Sequence, residues 1–334
     1  MTVTTRPGRG ILSVGVVAAI LAVAVIASLA LGANPLAPPA VIDALAGRGT
    51  RETSFVVWDL RVPRTVVGLI AGAALGAAGA LMQAFTRNPL ADPGLLGVGA
   101  GAAFAVALGV SLFGLSGPGE VVWPAFAGAL LVTMAVSVIG ASGPGGPVRL
   151  ILAGVALGAV LSGITTAITL TDPEAFDRMR GWNAGSLLGA GLDDLGAIAP
   201  FVAAGAVLAF ALAPGLNAMA LGDDVARSQG VNVGRIRIGV IVAVTLLAGA
   251  ATAIAGPISF VGLMIPHVVR WIVGPDQRAV LPLSLLAGPV VVLAADILGR
   301  VVIAPAEVPV GVVVAFVGAP LLIALARRRT ARAL

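Results

Sequence analysis

The chain has 334 residues, 59% hydrophobic and only 10% charged, with mean hydropathy +1.08 and formal net charge +5. A soluble domain carries about a quarter charged residues, so a water-soluble globule is excluded and an integral membrane protein is indicated. With no cysteine, no lysine and a single histidine, disulfides, thiolate or multi-histidine metal sites and a Walker lysine are excluded as well, so the chain has no P-loop with which to hydrolyse ATP.

All 20 basic residues are arginine, scattered through loops, so the pI near 11.4 does not point to nucleic acid. The apolar runs approach about twenty residues, which predicts helical spans rather than barrel strands. Arg6 and Arg9 precede the first run, Ile11–Leu31, which reads as an uncleaved span because it exceeds a signal-peptide core. Further spans read as 65–85, 95–113, 121–140, 149–170, 196–214, 236–255, 258–272, 280–298 and 308–326, ten in all. Together they form one transmembrane domain over 1–334. The run 258–272 is short and interrupted by Pro266, and is expected to be broken or re-entrant. Its His267 reads as a structural hydrogen-bonding group. With the N-terminus inside, 13 arginines fall on inner segments and 7 on outer ones, which predicts an N-in, C-in topology. Trp58, Trp123 and Trp271 fall near span ends, as an aromatic belt requires.

Arg61 and Arg64 bracket Pro63 at the outer mouth of 65–85. Cations are disfavoured there by the helix dipole and by the positive-inside trend. They either snorkel to lipid phosphates or await an anionic partner. Behind them Gly68, Gly72, Gly76 and Ala80 recur every four residues, a stripe that lets another helix approach closely; Gly154 and Gly158 read the same way. Ser162, Thr165, Thr166 and Thr169 share one helix face, either bonding back to their own helix or lining a wet pathway. The inner segment 216–237 carries Asp223, Asp224 and Arg227 between Gly222 and Gly230, and reads as short surface helices: a connector, or a docking surface for a cytosolic motor. Asp296 and Arg300 lie one turn apart and are placed to pair. No ionisable relay lies near midplane, so uphill transport would draw its energy from another subunit.

Several segments carry a family resemblance. "LRVPRTVVGLIAGAALGAAGALMQAFTRNPLADPGLLGVGAGAA" (60–103), "LAGVALG" (152–158), "NAMALGDDVARSQGV" (217–231) and "GPISFVGLMIPHVVR" (256–270) follow in order through nearly the whole chain. They resemble the FecCD-type permeases, membrane subunits of ABC importers for ferric siderophores, haem and vitamin B12. The resemblance implies an all-α, ten-span permease of the type II importer architecture. It would pair with a second copy or a homologous permease, two cytoplasmic ATPase subunits and an extracytoplasmic binding protein, and would use no cofactor. Arg61, Arg64 and Arg300 match the arginines that receive the binding protein. Ala220, Leu221, Gly222, Asp223, Asp224, Ala226, Arg227 and Gly230 match the segment that couples to the ATPase. Asn88 and Leu90, in "RNPLADPG" (87–94), match an inner gate, and the hydroxyl face of 149–170 would line the pathway. The loop 142–149 departs from relatives with hydroxyl residues before the arginine matching Arg149. A ferric siderophore is the favoured cargo. A secondary transporter or channel without a motor is the alternative, and a membrane enzyme or scaffold the third reading.

Overall fold

The computed structural model describes residues 7–32, 35–117, 119–141 and 146–330, with side chains left aside at 7–11, 141, 146–147 and 324–330. Arg6, Arg332, residues 142–145 and the side chains of Arg9 and Arg327–Arg329 lie outside the described residues. The order is α1 (Pro7–Ala30), α2 (Pro38–Leu45), α3 (Arg51–Phe55), a π turn (Val56–Arg61), α4 (Val62–Thr86), a 3-10 turn (Pro93–Leu96), α5 (Val98–Phe113), α6 (Val122–Ala141), α7 (Gly146–Thr171), α8 (Pro173–Asn183), α9 (Leu192–Ala220), α10 (Asp223–Ser228), α11 (Val233–Ala255), α12 (Val261–Val273), α13 (Gln277–Val302) and α14 (Val310–Thr330). The described residues contain no strand.

Seven helices are long and apolar enough to cross a membrane, and α5, α12 and 310–323 are shorter apolar helices. Each apolar run expected from the sequence falls on one of these ten. At about 1.5 Å per residue, the 13 residues of α12 reach about 20 Å, short of a bilayer core of about 30 Å. The chain enters α12 through non-helical residues 256–259 and Phe260, whose φ of 69° turns the backbone sharply.

The core is built around α4, which packs on α13, α11, α12 and α9, while α5, α6 and α7 group beside α11. The glycine stripe explains this choice of centre. A Cβ at Gly72 would stand 2.6 Å from the Pro289 backbone, at Gly76 2.3 Å from the Ser284 carbonyl, and at Gly68 2.6 Å from the Leu293 side chain. So α4 and α13 run antiparallel in backbone contact. Gly79 takes the same approach to α12, where a Cβ would meet the Gly262 carbonyl at 1.9 Å. Gly154 of α7 sits likewise against the Leu95 carbonyl in the 3-10 turn, at 2.0 Å from a built Cβ. By contrast only 17% of the α7 span and 6% of α1 are buried.

Pro266 has no N–H to offer the Gly262 carbonyl four residues earlier. That carbonyl instead accepts from Gln83 Nε2 of α4 at 3.2 Å, and the same amide reaches the Leu263 carbonyl at 3.0 Å. Gln83 Oε1 in turn accepts from Arg270. His267 is buried and packs edge-on against Trp271, with 4.9 Å between ring centroids.

Gly72→Val should prevent correct folding, because backbone on the facing helix cannot move aside and overpacking alone costs about 1–3 kcal/mol. Gly15→Ala in α1, where a Cβ meets nothing within 4 Å, should be neutral. Fluorescence-detected gel filtration of detergent-solubilised protein distinguishes the two.

Candidate functional site

At the end of the bundle away from α10, three sequence-predicted arginines come together, but not as exposed cations. Arg61, Arg64 and Arg300 are only 6%, 8% and 2% exposed. Asp296, itself buried, is the hub for two of them, Arg64 and Arg300. Its Oδ1 accepts from Arg64 Nη2 at 2.7 Å and Nε at 2.9 Å, and its Oδ2 accepts from Arg300 Nη2 at 2.5 Å. Arg64 Nη1 donates to Glu307 Oε2 at 2.7 Å.

Donors of Arg61 and Arg300 also serve the end of α1. Arg61 Nη1 donates to the Leu29 and Ala30 carbonyls at 2.6 and 2.8 Å. Arg300 Nη1 donates to the Ser28 and Leu31 carbonyls, both at 3.0 Å, and its Nη2 to Ser28 Oγ at 2.9 Å. A helix C-terminus leaves carbonyls without partners and carries partial negative charge, so cations are favoured there. Arg61, which looks wrong for α4, is therefore right for α1, while Arg64 is matched by the carboxylates of Asp296 and Glu307. The π turn Val56–Arg61 lies directly before α4 and widens the helix at the point where Arg61 leaves it. The Asp296–Arg300 pair was expected from spacing; Ser28 and Glu307 were not, because both lie far away in sequence.

The hydroxyl stripe divides. Thr166 and Thr169 donate to the Ser162 and Thr166 carbonyls of their own helix at 2.8 and 3.0 Å. Ser162 and Thr166 are exposed, while Thr165 turns inward and its hydroxyl has no partner among the described residues.

At the opposite end, α9 stops at Ala220 and the chain turns through Leu221 and Gly222 into α10. Gly222 and Gly230 have φ of 116° and 80°, values that suit glycine. Ala226 is buried with Ala218, Met219 and Val233, whereas Leu221 and Val225 are exposed. The two adjacent acids face opposite ways. The Asp224 side chain is 98% exposed and meets Arg227 at 2.8 Å, a surface pair of small worth. The Asp223 side chain, 24% exposed, turns toward the bundle. It accepts from Arg87 on one oxygen and from Arg237 at 2.6 Å on the other.

Arg87 closes α4 at φ 51° and ψ 29°, a left-handed conformation that costs a non-glycine residue about 1 kcal/mol. In the loop beyond it, Asn88 Oδ1 accepts from the Leu90 amide at 2.9 Å and leaves the Leu90 side chain exposed. Burial pushes the Asp92 carboxyl above its usual range, against the Gly94 amide that donates to it at 2.8 Å. Of the loop 142–149, the described side chains begin at Val148 and Arg149.

Near the arginine cluster's end of the bundle, a cleft of about 390 Å³ lies beneath α8, lined by Val106, Trp182, Leu188 and Ile254 with Arg178 and Ser116. Arg178 donates to the Ser116 carbonyl. The Gly117 and Ser116 amides hold the Glu120 carboxyl below its usual range. No group of acidic or histidine side chains that could hold a metal occurs among the described residues.

The FecCD transport family is matched over residues 20–328. The ferric enterobactin transport system permease protein FepD of Escherichia coli (strain K12) is 49% identical over 314 residues, covering 93% of each chain. The probable siderophore transport system permease protein YfiZ of Bacillus subtilis (strain 168) is 39% identical, covering 92% of this chain and 93% of that one. The cobalamin import system permease protein BtuC of Halobacterium salinarum is 36% identical over 86% of this chain and 77% of that one. A solved inward-facing metal-chelate type ABC transporter superposes with TM-score 0.81 at 25% identity, covering 95% of this chain and 99% of that one.

Removing Asp296 strands two buried guanidinium groups, whereas removing Glu307 frees one donor at a partly exposed edge. Asp296→Ala should therefore destabilise by about 3–5 kcal/mol, and Glu307→Ala by about 1 kcal/mol or less. Thermal unfolding in detergent orders the two; equal losses would remove Asp296 from its place as hub.

Proposed function

The chain belongs to the FecCD transport family, and from that premise we propose that it carries ferric siderophores across the inner (plasma) membrane as one half of a permease pair. It is a multi-pass permease subunit of an ABC importer, a transport component, with ATP hydrolysed on a separate ATPase subunit. Its lack of lysine agrees with that division of labour. The observation that carries the cargo is the 49% identity to a ferric enterobactin permease across 93% of the chain.

The finer organisation is a single ten-span domain with both ends inside and the type II importer architecture. Two ATPase subunits bind from the cytoplasm, on a surface made by Leu221, Val225, Asp224 and Arg227. Support for this lies in the exposed apolar pair on a short helix whose other side is anchored in the bundle. The pathway forms where two copies, or this chain and a homologous permease, bring their sparsely covered α7 helices together, with Ser162, Thr166 and Thr169 toward it. Asn88 and Leu90 close its inner end.

The loaded binding protein docks at the outer end around Arg61, Arg64 and Arg300. Because these arginines already have partners within the chain, an incoming carboxylate would exchange with Glu307 on Arg64 Nη1, the contact nearest solvent. The other bonds of the cluster stay in place. Charge at this rim then governs encounter and register more than raw affinity.

Proteoliposomes holding the permease pair, its ATPase and its binding protein should accumulate ferric enterobactin with ATP, and cobalamin not at all. Uptake undiminished with an inactive ATPase would refute the importer reading; uptake of cobalamin alone would reassign the cargo. Glu307→Gln should tighten binding-protein docking by up to about tenfold in a pull-down titration, since the internal competitor loses its charge.

A further inference from the structure

We propose that Asp223 is the positioning residue through which α10 moves the loop 87–94, acting on Arg87, so that the segment touched by the ATPase and the inner gate are joined by one carboxylate. The inference rests on the importer reading above and concerns how force crosses the inner face.

Three observations carry it. First, Asp223 is the first residue of α10, and its two oxygens hold two different elements: Arg87 at the end of α4 and Arg237 near the start of α11. A shift of α10 therefore pulls on both. Second, Arg87 is the hinge residue itself. It occupies the left-handed conformation that ends α4, and the loop with Asn88 and Leu90 begins at the next residue. Third, the loop is packed onward. It leads into the turn Pro93–Leu96, where the Leu95 carbonyl lies against Gly154 of α7 and Pro93 lies 3.0 Å from a Cβ built on Gly262 of α12. The route from α10 to the sparsely buried helix α7 thus begins at the Asp223–Arg87 pair and ends in close packing at Gly154. The neighbouring Asp224 takes no part, since its side chain points away and pairs only with Arg227 of the same helix.

The chain has no cysteine, so Leu90→Cys supplies a single reporter thiol at an exposed position. In the assembled importer, with thiol-free partners, the rate of maleimide labelling at that position should change about fivefold or more between the nucleotide-free and ATP-bound states. Adding Arg87→Ala or Asp223→Asn should make the rate insensitive to ATP while the ATPase still co-purifies. Arg87→Lys should restore part of the response. Arg235→Ala, which removes an exposed charge on the same inner edge, should leave the response intact.

An ATP response that survives both Arg87→Ala and Asp223→Asn would overturn the proposal and leave the importer reading standing. Loss of ATPase co-purification in Arg87→Ala would also overturn it, by making the pair part of the docking surface. A rate without ATP response in the otherwise unmodified chain would overturn this inference alone, since the importer reading is decided by ATP-driven uptake.

Discussion

Everything in this bundle depends on how closely α4 can lie against its neighbours. Gly68, Gly72 and Gly76 bring it onto α13, and Gly79 brings it onto α12. In hydrocarbon no water drives helices together, so packing at this distance and the polar contacts it permits supply the cohesion. The polar contacts follow directly. At one end of α4 the close approach sets Arg64 against Asp296 of α13; near the other it sets Gln83 under the Gly262 and Leu263 carbonyls of α12. The helix then ends at Arg87, beside Asp223. One helix positions the charge cluster, the support of the short helix and the turn at Arg87.

Much of this was legible in the sequence because bilayers constrain composition so strongly. Apolar runs located the helices and the four-residue glycine repeat located the close contacts, but the short helix runs unbroken through Pro266 and its irregularity lies at its entry, at 256–260. Pro266 removes one donor, and the freed carbonyl is met by Gln83, a residue whose role cannot be seen without the fold. The arginines were found for a sound reason, since cations at the start of α4 break the dipole rule. What the sequence hid was that another helix's end lies beside them. Burial was the unexpected property: carboxylates from 232 and 243 positions away share Arg64.

The end of the bundle at α10 repeats the lesson on a smaller scale. Asp223 and Asp224 are adjacent and chemically identical, and no local pattern separates them. Only the packing of Ala226 into the bundle fixes the rotation of α10, which turns one acid inward and the other outward. The hydroxyl face of α7 shows the converse. Its periodicity was plain, yet two of its hydroxyls are satisfied by their own helix.

The clamp on α1 bears on how the protein is made. Arg300, 272 positions after Ser28, must be in place before it can grip the final carbonyls of α1. From the α4 side the same helix end is held by Arg61, which donates to the Leu29 and Ala30 carbonyls, and by Thr65, whose hydroxyl meets Ser28 Oγ at 2.9 Å. The last carbonyls of α1 are thus gripped from two helices, one near in sequence and one far.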